Sequence, residues 1–358
     1  MKSNPVEARN AKYKRSLLGL CVWMGIVPMG LATAQAQTAL YGVHGVSPLA
    51  VRQGTLGSCY FHASLAAVAN AAPDTLRGAI TPLPTGGYRV HFTQGQDETV
   101  LPEDVEFGRA HSYDRSEGVW VGVLMRAYAQ RVLRISLINT IQNAPSIPIF
   151  IRPLALSSLN QSDTLLSAWD RAVRAVVSQD GNIDKAALTK HLGDELAILG
   201  IPAAQSAMVS GFLNDQGFFD AVSQAVQANG EVFGAYKSLG QGGIPVQVIE
   251  AFMGSASAGQ ISERRPLMEK LRKLHAGGLA MVAGSGTNPA GTEPVGKAEG
   301  WWVATHAYTV LDFDETAQTV SLRNPWGARP APDGVFIIPL STFLATYDSY
   351  STSAPAAK

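Results

Sequence analysis

The stretch Cys59-Tyr60-Phe61-His62-Ala63-Ser64-Leu65-Ala66-Ala67-Val68-Ala69-Asn70-Ala71-Ala72 constrains the fold more than any other part of the chain. Its Ala and Leu residues favour helix, and Pro73 marks the stop, because a helix usually ends before a proline. The run is apolar on nearly all sides. A helix of that kind belongs in the middle of a folded body rather than on its surface. The chain has the material to enclose it: 358 residues, 46% of them hydrophobic, enough for two domains or lobes. Only 16% are charged, with 28 Lys and Arg against 28 Asp and Glu. That balance argues against a nucleic-acid binder held by electrostatics, and the apolar content argues against a mostly disordered chain. Two cysteines are too few for a disulfide framework or a thiolate-rich zinc site.

The first residues read as a targeting segment. Lys2, Arg9, Lys12, Lys14 and Arg15 precede an apolar run from Leu17 to Leu31, and Ala32-Thr33-Ala34-Gln35-Ala36 follows. This is the layout of a secretory signal peptide over residues 1–36, cleaved after Ala34 or Ala36. The run is short and broken for a membrane span, which needs ~20 apolar residues. The surroundings of Cys21 do not suit lipid attachment. The expectation is export, to the periplasm or outside the cell, with no membrane association after cleavage. Removal takes away five bases and one acid, leaving 23 against 27 and a net charge of about −4. It also leaves Cys59 as the single cysteine, a thiol without an internal partner.

The position of Cys59 gives that thiol a use. Gly54 and Gly57 lie in the loop Val51-Arg52-Gln53-Gly54-Thr55-Leu56-Gly57-Ser58, and the cysteine opens the helix. Free backbone N–H groups and the positive helix end stabilise a thiolate, so a lowered pKa is expected. The glycines are expected to let a substrate approach the backbone. Gln53 can turn its amide toward the spot faced by the Cys59 N–H, and two such donors form an oxyanion hole.

A thiol nucleophile needs a base and a group to orient it. Of seven histidines, His62 packs on the cysteine's own helix, while His44, His91, His111, His191 and His275 read as surface or core residues. His306 opens a strand, Ala307 to Phe313, followed by a turn at Asp314-Glu315-Thr316 and a second strand, Thr319 to Arg323. Asn324 closes that strand, so the hairpin brings the two side by side. An Asn amide there can fix the imidazole tautomer, and Trp326 can shield the bond from water.

Gln53-Gly54-x-Leu56-Gly57-x-Cys59, His306-Ala307-Tyr308 and Leu322-Arg323-Asn324-Pro325-Trp326-Gly327 together resemble the calpain family of cysteine proteases. Gly118 to Ala129, Gly242-Gly243 to Gly254 and Asp333 to Leu340 with Phe343 resemble further blocks of its core. The resemblance implies a papain-like, α+β, two-lobed fold: a helical lobe carrying Cys59 and an antiparallel β lobe carrying His306 and Asn324. It implies Cys59 as nucleophile, His306 as base, Asn324 as the orienting residue, Gln53 as oxyanion donor and Trp326 as the shield. The implied activity is peptide-bond hydrolysis in protein or peptide substrates by an endopeptidase. Calpains usually place Asp before the cysteine and Trp after it, where this chain has Ser58 and Tyr60. The family's regulatory calcium domains have no counterpart. The chemistry requires no cofactor, and calcium control stays open because the core's calcium-binding carboxylates have no clear match.

The expected layout places the helical lobe at 37–253, with an insertion at 132–229 foreign to the family, a linker at 254–266, the β lobe at 267–350 and a disordered tail at 351–358. Within the insertion, Ile147 to Pro153 is apolar and proline-bounded, and helices are expected at 163–177, 185–199 and 218–228. Gln179 to Asp184 resembles the middle of an EF-hand loop, but the first and twelfth positions fall on Val176 and Ala187, which offer no side-chain ligand. Residues 284–300 form a Gly/Pro-rich loop entering the His306 strand. The same triad would also serve an amide-transferring or deamidating effector. A protease scaffold used only for binding is the third reading, disfavoured by the complete triad.

Overall fold

The computed structural model describes residues 40–143 (apart from 85), 235–287 and 302–354 (apart from 329), with parts of 168–223. The expected signal segment, the 147–153 stretch and most of the 284–300 loop lie outside the described residues. Helix α1, Cys59–Ala71, is buried from Tyr60 through Ala69. It stops where Ala72 leaves helical geometry (φ −149°, ψ 66°) ahead of Pro73, which begins α2, Pro73–Ala79. Helices α3 (Pro102–Ala110), α4 (Trp120–Asn143), α7 (Ala235–Gly240) and α8 (Pro245–Met253) complete the layer around α1. Between them are α5, Lys185–Ile198, and α6, Ala203–Gly211. A small antiparallel sheet, β1 (Ile80–Pro82), β2 (Tyr88–Val90) and β3 (Glu98–Val100), belongs to the same unit.

The second unit is a six-stranded antiparallel sheet in the order β4-β9-β5-β6-β7-β8. Its strands are β4 (Ala256–Gln260), β5 (Met281–Gly284), β6 (Ala307–Asp314), β7 (Thr319–Arg323), β8 (Val335–Pro339) and β9 (Ser349–Ser353). Helix α9, Arg264–His275, buries Leu267, Leu271 and Leu274 at helical spacing against Tyr308, Phe313 and Val320 of the sheet. Helix α10, Leu340–Thr346, adds Phe343. The architecture is therefore α+β, a helical region joined to an antiparallel sheet.

Several boundaries differ from those expected. The 254–266 segment is not a linker: it holds edge strand β4 and the start of α9. Its small residues suggest a flexible connection, but a side chain at Gly259 would meet the Tyr350 hydroxyl at 2.5 Å, so the smallness makes room for that ring. The tail does not begin at 351, since β9 runs to Ser353 with Thr352 and Ser353 fully buried. Those polar residues are satisfied by pairing with β4 on one side and β5 on the other. Helix α4 continues past the expected boundary at 132 to Asn143. Of the small sheet in the helical unit only Tyr88-Arg89-Val90 reads as strand-like in the sequence, because three-residue strands carry too little alternation to read.

Part of the insertion has its own core. Leu188, Leu192 and Leu196 of α5 pack with Ala168, Ala172, Val173 and Leu213. Residues 179–181 of the segment that resembles an EF-hand lie outside the described residues; beside them Val177 bridges Ile183, and Asp184 caps α5 by accepting the Ala187 N–H at 2.6 Å. Among the described residues, no three His, Cys, Asp or Glu side chains gather as a metal site.

The two main units are stitched at the level that matters for the site. Thr309 Oγ1 of β6 donates to the Ala63 carbonyl of α1 at 2.9 Å. The fully buried Arg323 of β7 donates through Nη2 to the Val51 carbonyl at 2.6 Å. The Gln53 N–H donates to the Pro325 carbonyl at 2.8 Å. The last two bonds tie the loop before the cysteine to the segment that carries Asn324.

Candidate active site

Cys59 is the first residue of α1 and is partly exposed. The two glycines before it do more than expected. A side chain at Gly54 would run into the Ser112 carbonyl, and one at Gly57 would meet the Gly240 carbonyl oxygen at 2.5 Å. They allow close packing against protein backbone, with Gly54 N–H bonded to Tyr113 O at 3.1 Å, and both also line the hollow that holds Cys59.

The thiol differs from the lowered pKa expected of a helix start. Burial pushes Cys59 up from its ordinary pKa, against the N–H groups of Ala307, Tyr60 and Cys59 itself, which favour the thiolate. The helix start contributes partial charges, whereas burial penalises a full one, and here burial wins.

His306 is buried at the mouth of β6 and shares a 3.1 Å bond with Asn324, its Nε2 against Oδ1. Oδ1 also accepts the Trp326 backbone N–H at 3.1 Å, which fixes the oxygen end of the amide because a backbone donor needs an acceptor. Nε2 must then carry the ring hydrogen, leaving Nδ1 as the free lone pair. Burial lowers the imidazole to about 4, and the Asn324 bond works in the opposite direction. Asn324 itself is fully buried, and its Nδ2 has no hydrogen-bond partner.

The hairpin explains how the ring and amide meet. Thr309 pairs with Arg323 across β6 and β7, so His306, just before β6, and Asn324, just after β7, fall at the same end of the hairpin. The Trp326 ring lies 4.7 Å from the imidazole at 45°, and Tyr308 meets its other side edge-on at 4.9 Å. Trp326 remains 38% exposed, so it stands between the ring and solvent.

Gln53 is buried beside this pair and lines the same cleft. Its Nε2 donates to Leu56 O at 2.6 Å, which leaves one amide hydrogen free. The structure thus brings Cys59, Gln53, His306 and Trp326 to one hollow, with Asn324 directly behind. The other histidines stand away from it. His44, His91 and His275 pair with Glu117, Asp97 and Asp312, His111 bonds the Phe107 carbonyl, and His62 is buried 3.8 Å from Asp114.

Sequence reasoning missed Ser285. Its Oγ accepts the His306 N–H at 3.0 Å, and its N–H donates to the His306 carbonyl at 2.9 Å. Thr305, just before, takes the left-handed conformation (φ 51°). Together they aim the imidazole. A lone serine after a strand carries no signal for such a role.

Two hollows share Cys59, Tyr60, Gly243, Thr305 and His306. One, of about 710 Å³, opens along Gln53 to Gly57 and Trp326. The other, of about 530 Å³, extends across the sheet to β9 and β4.

No family model matches the sequence, and no curated protein matches it. Among solved structures, the chain is similar to the crystal structure of PepW from Lactobacillus rhamnosis HN001, at 12% identity, over 90% of this chain and 84% of that one, with a TM-score of 0.31.

Proposed function

We propose that this chain is an exported cysteine endopeptidase with a papain-like arrangement of lobes and a calpain-like core. The observation that carries the reading is the His306–Asn324 bond set in the same cleft as a cysteine at a helix start. Burial makes a lone thiolate and a lone imidazolium both costly here, so neither group charges by itself. The proton moves from Sγ to Nδ1 as sulfur attacks the peptide carbonyl carbon. The Cys59 N–H and the free Gln53 amide hydrogen hold the oxyanion. The C–N bond then breaks, and His306 gives its proton to the leaving amine. Water attacks the thioester with His306 as base, the C–S bond breaks and the proton returns to sulfur. Asn324 keeps the ring aligned through both halves. No cofactor takes part in these steps. The substrates are proteins or peptides, met in the periplasm or outside the cell.

Casein hydrolysis by the mature protein under reducing conditions, with and without calcium, tests this. Cleavage by the wild type and none by Cys59→Ala is the expected result, and the calcium arms decide metal control. Absence of cleavage together with no labelling of Cys59 by a thiol-directed electrophile would sink the proposal. Release of ammonia from glutamine side chains without chain cleavage would reassign the triad to amide transfer.

A further inference from the structure

His62 lies fully buried on α1, one turn beyond Cys59, and the chemistry above gives it no part. Its Nδ1 is 3.0 Å from the Ser58 carbonyl oxygen and 3.2 Å from Ser58 Oγ. A backbone carbonyl only accepts, so Nδ1 carries a hydrogen. The same carbonyl accepts the Phe61 and His62 N–H groups, each at 3.1 Å. The ring therefore adds a further donor to an oxygen that the helix start already holds. Nε2 has no hydrogen-bond partner and stands 3.8 Å from Asp114 Oδ1, beyond hydrogen-bond reach. The contact with Ser58 is thus what anchors the ring.

The Ser58 carbonyl and the Cys59 N–H are two ends of one planar, trans peptide group and point in opposite directions. Holding the oxygen fixes where the N–H points. A donor on the oxygen also polarises the N–H, as successive bonds in a hydrogen-bonded chain do. That N–H is one of the two donors assigned to the oxyanion. The other, Gln53, is tied to the same place. Its Nε2 donates to the Leu56 carbonyl at 2.6 Å, and that carbonyl also accepts the Ser58 N–H at 2.8 Å. On the far side, Asp114 pairs with Gln53 as an isolated antiparallel bridge, and its buried carboxylate faces His62. Both oxyanion donors thus belong to one closed ring of contacts through Gln53, Leu56, Ser58, His62 and Asp114.

We propose that His62 is a positioning residue for the oxyanion hole: through its bond to the Ser58 carbonyl it aims and strengthens the Cys59 N–H. The proposal rests on the peptidase reading and deepens it.

Two substitutions separate the two ring nitrogens. Asn places an amide nitrogen where Nδ1 stands and keeps the Ser58 bond, whereas Gln reaches instead toward Asp114. Three quantities are measured on each form. They are kcat and KM on a fluorogenic peptide, Ki for a peptide aldehyde whose adduct with Sγ puts an oxygen in the same hole, and the rate of Cys59 alkylation by iodoacetamide, which forms no oxyanion. His62→Gln is expected to lower kcat about tenfold with KM little changed, since a weakened donor costs less than the roughly 100-fold or more of a deleted one. The aldehyde Ki rises by the same factor, and alkylation keeps its rate. His62→Asn recovers most of both losses. Equal losses in the two variants, or alkylation that slows in step with kcat, would mark a packing role alone and overturn the proposal. Full activity of His62→Gln does the same. Ring nitrogen shifts of His62 in the wild type, read by NMR, test it without any substitution: a bare Nδ1 overturns it. A wild type that neither turns over peptide nor is labelled at Cys59 overturns the peptidase reading itself, and this proposal with it.

Discussion

Asn324 offers the sharpest perturbation of the proposed chemistry. Its Oδ1 accepts two hydrogen bonds, from His306 Nε2 and from the Trp326 N–H, each at 3.1 Å. Asn324→Ala leaves the buried ring N–H and the partly buried backbone N–H without partners, at about 1–3 kcal/mol each. The substitution also removes the buried Nδ2, which already lacks a partner, and that offsets part of the loss. A net destabilisation of about 2 kcal/mol follows, small enough for the protein to fold. The catalytic loss should be larger, because a freed imidazole no longer presents Nδ1 to the sulfur, and misplacement on the order of 1 Å costs about 100-fold. Asn324→Asp separates orientation from electrostatics. A carboxylate beside the ring favours the imidazolium, so the ring pKa, about 4 in the wild type, rises by about one to three pH units. The base must be neutral to take the thiol proton, so the acid limb of kcat/KM moves upward with it. The assay is kcat/KM against pH on a fluorogenic peptide, with thermal unfolding run on every variant. Folded Asn324→Ala with more than about a third of wild-type kcat/KM, or Asn324→Asp with an unmoved acid limb, would refute the assignment.

Three further outcomes are expected. His306 titrates at about 4 when folded and near its ordinary 6.5 when unfolded, so its contribution is present above the unfolded value and is lost as pH falls through the folded one. The loss comes to about 3 kcal/mol between those values, and chemical denaturation at pH 7 and pH 4 should show a shallower acid loss in His306→Gln than in the wild type. Ser285→Ala leaves the buried His306 N–H unpaired. It should lower stability by about 1–2 kcal/mol and kcat more than KM, and equal effects of Ser285→Ala and Ser285→Thr on kcat would argue against a positioning role. Alkylation of Cys59 by iodoacetamide should be slow at neutral pH and climb through alkaline pH, because burial holds the thiol protonated; a flat, fast profile from pH 5 upward would show a preformed thiolate.

What was legible in the sequence, and what was not, follows from where the information lies. Helix α1 was readable because a long apolar run between a glycine loop and a proline admits few other structures, and the β6–β7 hairpin because its two strands flank an evident turn. The meeting of His306 with Asn324 followed from that hairpin, a local object. Strand β4 was not readable: Ala256 to Gln260 has the composition of a spacer, and only the Tyr350 ring lying over Gly259 gives the small residues a purpose. The polar β9 likewise lost its apparent disorder by pairing on both edges. The same reasoning explains the thiol. The helix start at Cys59 is written in the sequence and favours a thiolate, but the opposing burial comes from the sheet laid against α1, where Thr309 reaches the Ala63 carbonyl and the Ala307 N–H reaches the sulfur. The bonds from Arg323 to Val51 and from Gln53 to Pro325 go further, since each joins residues about 270 positions apart. The loop that holds Gln53 and the hairpin that leads from His306 to Asn324 are thereby tied together beside Cys59. Cutting either strap should therefore cost turnover before it costs folding. Arg323 offers the cleaner cut: with Nη2 alone bonded and burial lowering the guanidinium to about 10, its replacement by Met removes one cross-unit bond and a buried charge together.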